Sequence, residues 1–226
     1  MMKKRTLSTL TGLLLALSLS VTALSGILWV LGTSDGIMLP MMRHFAPSEK
    51  TMLADWEYPP TVALITDYLA GRVDTFDRYY FVFDVMYSFN DREQAHMADC
   101  RALFRLDKAV LTVAGALAAA LLVAGILWRN RRVWKGAAIG FGAVIGLIGL
   151  VAAAAVINFE RMFILFHKLS FSNDLWQLNP QTDLIIRLMP TDFFMAYAGI
   201  LGGSWLLLMA LMLAMSVILY KRGSKA

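Results

Sequence analysis

Two histidines, His96 and His167, lie almost symmetrically about the basic turn Arg129-Asn130-Arg131-Arg132-Val133-Trp134-Lys135, one 36 residues before Arg132 and the other 35 after it. If that turn joins two antiparallel helices that run unbroken, the equal spacing puts both imidazoles at one height. Imidazole is the side chain whose ordinary pKa lies nearest neutrality, so a facing pair could serve as acid and base. On a helix His96 and Asp99 share a face, and the carboxylate could orient the ring; a solvated helix face is the plainer reading. His167 sits in the apolar run Phe163-Ile164-Leu165-Phe166-His167-Lys168-Leu169, where burial would keep the ring neutral and poised to accept a proton. A hydrogen-bonded structural histidine fits that run equally well.

Other chemistries were open to the same residues. Glu93 and His96 form a Glu-x-x-His pair, and Glu160 stands seven residues before His167, as in a carboxylate–histidine metal site. The second Glu-x-x-His of such sites is missing, and neither a metal nor a cofactor is expected. Cys100, four residues after His96, could form a Cys–His nucleophile pair, although a lone buried cysteine is commoner. His44, beside Arg43 and Phe45, has no evident partner. There is no Gly-x-Ser-x-Gly elbow, phosphate-cradling glycine loop or zinc-protease motif.

The elements that must position these residues are membrane spans. The chain has 226 residues, 58% hydrophobic and 16% charged, with a mean hydropathy of +0.61, whereas soluble domains carry about 25% charged residues. Four segments reach the roughly 20 apolar residues that a bilayer core requires: 7–31, 109–128, 136–157 and 194–220. A first apolar run longer than the ~7 to 15 of a signal peptide reads as an uncleaved anchor. The N-terminal Lys3-Lys4-Arg5, the basic turn and the tail Lys221, Arg222 and Lys225 hold ten basic residues and no acidic one. Basic flanks mark the cytoplasmic side, so both termini are placed in the cytoplasm and residues 32–108 and 158–193 outside. The net charge of +5 then reflects topology, with no nucleic-acid partner implied. The fold class expected is an all-α membrane protein of four transmembrane helices with a mostly helical extracytoplasmic cap, forming one domain over residues 1–226.

Within the cap, Pro47-Ser48-Glu49 and Pro60 to Gly71 read as short helices, and Asn90 with Glu93 as a capping-box start for the helix carrying His96. The aromatic stretch from Phe76 to Phe89, which includes Tyr79, Tyr80, Phe83 and Tyr87, has no clean alternation, and its secondary structure is left open. The run between Pro180 and Pro190, with Leu184, Ile185 and Leu188, reads as an interfacial segment at headgroup level. Thr191 or Asp192 is placed as the cap of the fourth span. In the third span, Gly136, Gly140, Gly142, Gly146 and Gly149 would let neighbouring backbones approach.

Four spans, His96-Met97-Ala98-Asp99 after a long first outer region, and Phe166-His167 followed by Phe171, Asn173, Trp176, Pro180, Asp183 and Pro190 together resemble the bacterial lipoprotein intramolecular transacylase family, Lit. The resemblance runs over nearly the whole chain. It implies an enzyme of the cell membrane, an acyltransferase whose substrate is a diacylated lipoprotein. The sn-2 acyl chain of the diacylglyceryl-cysteine would move to the cysteine's own α-amine, giving a lyso-form lipoprotein. On that reading His96, supported by Asp99, is the base for the amine, and His167 the donor for the developing oxyanion, with the two roles interchangeable. Phe171, Asn173 and Trp176 are expected to contact the substrate, although Phe171, Trp176, Leu184 and Ile185 could equally be membrane anchors. Since amine and ester belong to one molecule, no acyl-enzyme is needed. An outer-leaflet lipid hydrolase or acyltransferase using the same histidines, and a non-enzymatic scaffold, remain as alternatives; oligomeric state is not legible.

Overall fold

A computed structural model describes residues 2–82 and 85–222; Phe83 and Lys225 lie outside the described residues. The chain divides into two compact units, Met1–Ile27, Lys108–Ile157 and Leu201–Ala226 forming one, and Leu28–Asp107 with Asn158–Ile200 the other. Among the described residues, four helices are long and apolar enough to cross a membrane: α1 (Met2–Thr33), α5 (Asp91–Leu127), α6 (Arg131–Ile157) and α9 (Thr191–Arg222). The first turns of α5 carry Asp91, Arg92, Glu93, Asp99, Arg101, Arg105, Asp107 and Lys108, which hydrocarbon would not tolerate. Only its apolar part, from Ala109 onward, is the span.

The first unit is built from the apolar lengths of these helices. Ala16, Ala137, Phe141, Trp205 and Met209 form its buried core. Close approach of α1 and α6 is permitted by glycine: a Cβ on Gly136 would lie 2.1 Å from the Thr9 carbonyl oxygen, and one on Gly12 would lie 1.9 Å from that of Val133. Of the five glycines expected to act this way, only Gly136 and Gly140 do; beside Gly142, Gly146 and Gly149 a Cβ would meet nothing within 4 Å. Gly12 is the partner the sequence pattern did not reveal. The Trp205 indole donates to the Ser20 carbonyl at 2.9 Å, and Asn130 of the basic turn donates to the Ser8 hydroxyl at 2.8 Å.

In the second unit, α2 (Asp35–Phe45), α3 (Ser48–Thr51), α4 (Tyr58–Ala70), the hairpin β1 (Tyr79–Val82) and β2 (Val85–Ser88), α7 (Phe159–Ser170) and α8 (Leu184–Leu188) join the end of α1 from Leu28, the start of α5 up to Asp107 and the start of α9 up to Ile200. Helix α4 begins with prolines in its first turn and ends on Gly71 at φ +76°, a left-handed C-cap in which the Arg72 amide reaches back to the Asp67 carbonyl at 2.8 Å. The strands pair antiparallel, Tyr79 opposite Ser88 and Tyr80 opposite Tyr87. Tyr80 is buried while Tyr79, Met86 and Tyr87 are exposed, so only part of the ribbon shows an in–out alternation. Tyr58, Val62, Ile65, Tyr80, Phe89, Leu188 and Phe193 centre the core.

Three expectations are corrected here. Leu184, Ile185 and Leu188 belong to that core, so the segment between Pro180 and Pro190 is not an interfacial anchor; its apolar side chains are consumed by packing in the core, with α8 set against α3. The third span also does not run on to His167. Helix α6 ends at Ile157, and Asn158 starts α7 by accepting the Arg161 amide on its side-chain oxygen at 2.9 Å. Helix α5, by contrast, is continuous from Asp91 to Leu127. Thr191 and Asp192 lie in the first turn of α9 and not at its cap.

Candidate active site

The N-terminus of α5 is fixed by a reciprocal box. The Asn90 side chain accepts the Glu93 amide at 3.0 Å and Glu93 accepts the Asn90 amide at 2.8 Å, the pattern expected from the spacing. The second Glu93 oxygen accepts the Ile185 amide at 2.7 Å, which ties α5 to α8. Burial raises the Glu93 carboxyl, and these amides pull in the other direction. With both oxygens engaged by backbone, Glu93 is a structural clasp; Glu160 is exposed, and among the described residues no three His, Cys, Asp or Glu side chains converge in the manner of a metal site. Replacing Glu93 with Ala strands two N–H groups. Each buried unsatisfied donor costs about 1 to 3 kcal/mol, so the detergent-solubilised variant is expected to unfold several degrees lower in a thermal melt.

Three further ties run from α5 to the segment following α7. Asn90 donates to Asp183 at 2.9 Å, Arg92 to the Asp174 carbonyl at 2.7 Å, and Asn173 to the Asp99 carboxylate at 2.9 Å. The segment is thereby held against α5, with Phe171 and Trp176 over two buried rings. The imidazoles of His96 and His167 lie with centroids 6.3 Å apart. Phe171 stands edge-on to His96 at 5.3 Å and 5.7 Å from His167. His167 is further covered by Phe163 at 4.1 Å, Trp176 at 4.9 Å and Phe166 at 5.2 Å.

The two histidines differ in their partners. The Nδ1 of His167 is 2.7 Å from the Phe163 carbonyl. A carbonyl only accepts, so Nδ1 carries the proton and the neutral ring presents Nε2 as its basic nitrogen. Burial lowers the pKa of His167, opposed by that hydrogen bond. His96 is pushed down to about 4, first by burial and then by the proximity of His167, with Asp99 opposing. Its Nε2 lies 3.6 Å from the Cys100 sulfur, and its buried Nδ1 has no partner among the described residues. Burial, with Asp99 adding, drives the Cys100 thiol up to about 12. A thiol so far from ionising is a poor nucleophile, and an S–H that donates to Nε2 leaves the His96 proton on the unpartnered Nδ1.

Of the residues singled out from sequence, the structure brings His96, His167, Phe171 and Trp176 together. Asp99 makes no hydrogen bond to His96; its carboxylate is taken by Asn173, and it acts on the ring only as a nearby charge. Asn173 also accepts the Leu175 amide, so its side chain is committed to the turn. His44 is exposed and packs on Phe45. Phe163 is the member that sequence reasoning passed over, although its i, i+4 spacing to His167 was the available signal.

A family model describing the lipoprotein intramolecular transacylase Lit matches residues 12–194. The chain belongs to the Lit family. Solved structures of Lit from Bacillus cereus share the fold: one, 19% identical, aligns over 97% of this chain and 99% of its own with a TM-score of 0.81. Two variants of that protein, with a histidine replaced by arginine or alanine, give TM-scores of 0.67 and 0.68 at 21% and 19% identity, covering 99% and 97% of this chain and 93% of each of theirs. No curated protein matches the chain. Family and fold together make it a multi-pass integral membrane protein and an acyltransferase of the Lit class.

Proposed function

We propose that the chain carries out intramolecular O-to-N acyl transfer on diacylated lipoproteins at the extracytoplasmic face of the membrane, using His167 as general base and His96 as oxyanion donor. The observation that carries this reading is the pair of facing, buried, neutral imidazoles whose hydrogen-bond states differ. The orientation rests on the ten basic residues of the termini and the Arg129 to Lys135 turn.

The substrate's α-amine has an ordinary pKa of about 7.7 to 8.0, so it arrives mostly as ammonium. His167 Nε2 removes one N–H proton, and the freed nitrogen lone pair attacks the sn-2 ester carbon. As the C–N bond forms, the carbonyl π pair moves onto oxygen, where the His96 Nδ1–H donates to it. Once the C–N bond has formed the nitrogen still carries two protons and gives one of them to solvent; collapse then breaks the bond to the glyceryl oxygen, and that alkoxide takes the proton that His167 holds. The enzyme ends as it began, with the acyl chain on nitrogen and a free sn-2 hydroxyl. Relative to the expectation from sequence, the two histidines exchange roles, because the Phe163 carbonyl occupies the proton of His167 while that of His96 is unclaimed.

Incubating the purified protein with a diacylated lipopeptide, and separately with phospholipid, tests the assignment by mass spectrometry. N-acylated lyso-lipopeptide of unchanged mass is expected from the first and no product from the second. Release of free fatty acid would overturn the transfer in favour of hydrolysis, and no product in either would favour a scaffold.

A further inference from the structure

Trp176 reads from sequence as a substrate contact or a membrane anchor, and in the structure it also packs on a histidine ring. Its indole lies 4.9 Å from the His167 ring, tilted from it by an interplanar angle of 32°. The loop that presents it is pinned to α5 on the Trp176 side by Asp99–Asn173 and Arg92–Asp174. The indole itself is partly buried, with its face spent on a catalytic ring.

Indole has the most electron-rich face of the aromatic side chains and attracts a cation placed over it, more strongly where water is excluded. During transfer His167 becomes such a cation. We propose that Trp176 is a positioning residue for His167: its face covers the imidazole and stabilises the positive charge the ring carries while it holds the amine proton. The inference rests on His167 being the base. Phe163 lies closer, at 4.1 Å, but is more tilted, at 46°, and its backbone carbonyl already fixes the tautomer. Trp176 is therefore the contact that discriminates between the ring's charge states. The charged and titratable groups around His167 are His96 on α5, whose imidazole shares the site, Asp99 and Cys100 on α5, engaged by Asn173 and His96, the adjacent Lys168 on α7, and Asp174 in the loop. From α9, Phe194 reaches the ring cluster through Phe163.

The test is a pH titration of the full-length, substrate-free protein labelled with 15N-histidine, followed by NMR, with the His167 signal identified by its loss in His167→Gln. Trp176→Leu keeps an apolar cover and removes the quadrupole, so the His167 midpoint is expected to fall by about half a unit or more, the size of a partly desolvated cation–π contact. Trp176→Phe should restore most of that fall, and 5,6,7-trifluorotryptophan at position 176, which keeps the indole shape, should reproduce the Leu shift. Transfer by the variants should lose kcat with KM unchanged. An unmoved or raised midpoint in the Leu and trifluoro forms overturns the proposal, as does a rise in KM alone, which would return Trp176 to the role of an acyl-chain contact. Should the midpoint fall while His167→Gln stays fully active, the stack stands and the base assignment fails, so the two are separately decided.

Discussion

Replacing His167 with Gln is expected to lower acyl transfer by about 10²- to 10⁴-fold, the usual worth of a positioned general base. Glutamine is nearly isosteric and can still donate its amide to the Phe163 carbonyl, so the loss would report proton transfer and not a collapsed site. The pH dependence follows from the ring's environment. As the proposed base, His167 would act only when neutral, and burial holds its pKa below the ordinary value, which is about 6.5. The kcat/KM of the unmodified protein should therefore be level through neutrality and decline with acid below that value, and the decline should be absent from any residual activity of His167→Gln. His96, held at about 4, remains uncharged throughout this range and adds no second bend. A profile that falls already between pH 8 and 7 would contradict the assignment.

The second large effect is mechanical. At Gly136 an added Cβ meets the Thr9 carbonyl oxygen at 2.1 Å and its carbon at 3.0 Å, both backbone atoms. No side chain can rotate aside, and α1 and α6 must separate. Overpacking of this kind costs about 1 to 3 kcal/mol or more. Gly136→Leu is expected to lower the melting temperature in detergent by on the order of 5 °C, using the scale for chains of this length. Gly142→Leu, whose Cβ direction is empty, should leave the melt within a degree. If the two variants melt alike, close backbone approach is not what holds these helices.

Much of this was legible before any coordinates, and the reasons are local. The Asn90–Glu93 box is a short-range signal whose partners lie three residues apart, and it appears at 3.0 and 2.8 Å as the spacing implies. Helix α4 was visible from its prolines and terminal glycine, although it starts earlier, at Tyr58. The hairpin was not, because a two-stranded ribbon buries only one face in part: Tyr80 points inward while Met86, Tyr87 and Ser88 in succession face out, which erases the period of two. The apolar run around Leu184 misled for the opposite reason, since an apolar turn buried in a core and one lying on a bilayer have the same composition. The equal spacing of His96 and His167 led to a pair of rings that do meet, but the unbroken helix behind that argument is absent. Asn158 lacks the acidic or amide partner three residues on that would have announced a cap; Arg161 stands there. Which histidine to propose as base was beyond sequence altogether, because it depends on which ring nitrogen finds a carbonyl.

The break at Asn158 separates the helix that carries His167 from the span that precedes it. In a continuous helix each inserted or deleted residue turns everything downstream by about 100°, so the azimuth of His167 would be hostage to every length change in α6. With the ladder interrupted and restarted by an asparagine side chain, the phase of α7 is set afresh at its own first turn. A hydrophobic stretch can then lengthen or shorten to suit bilayers of different thickness without rotating the imidazole out of its stack.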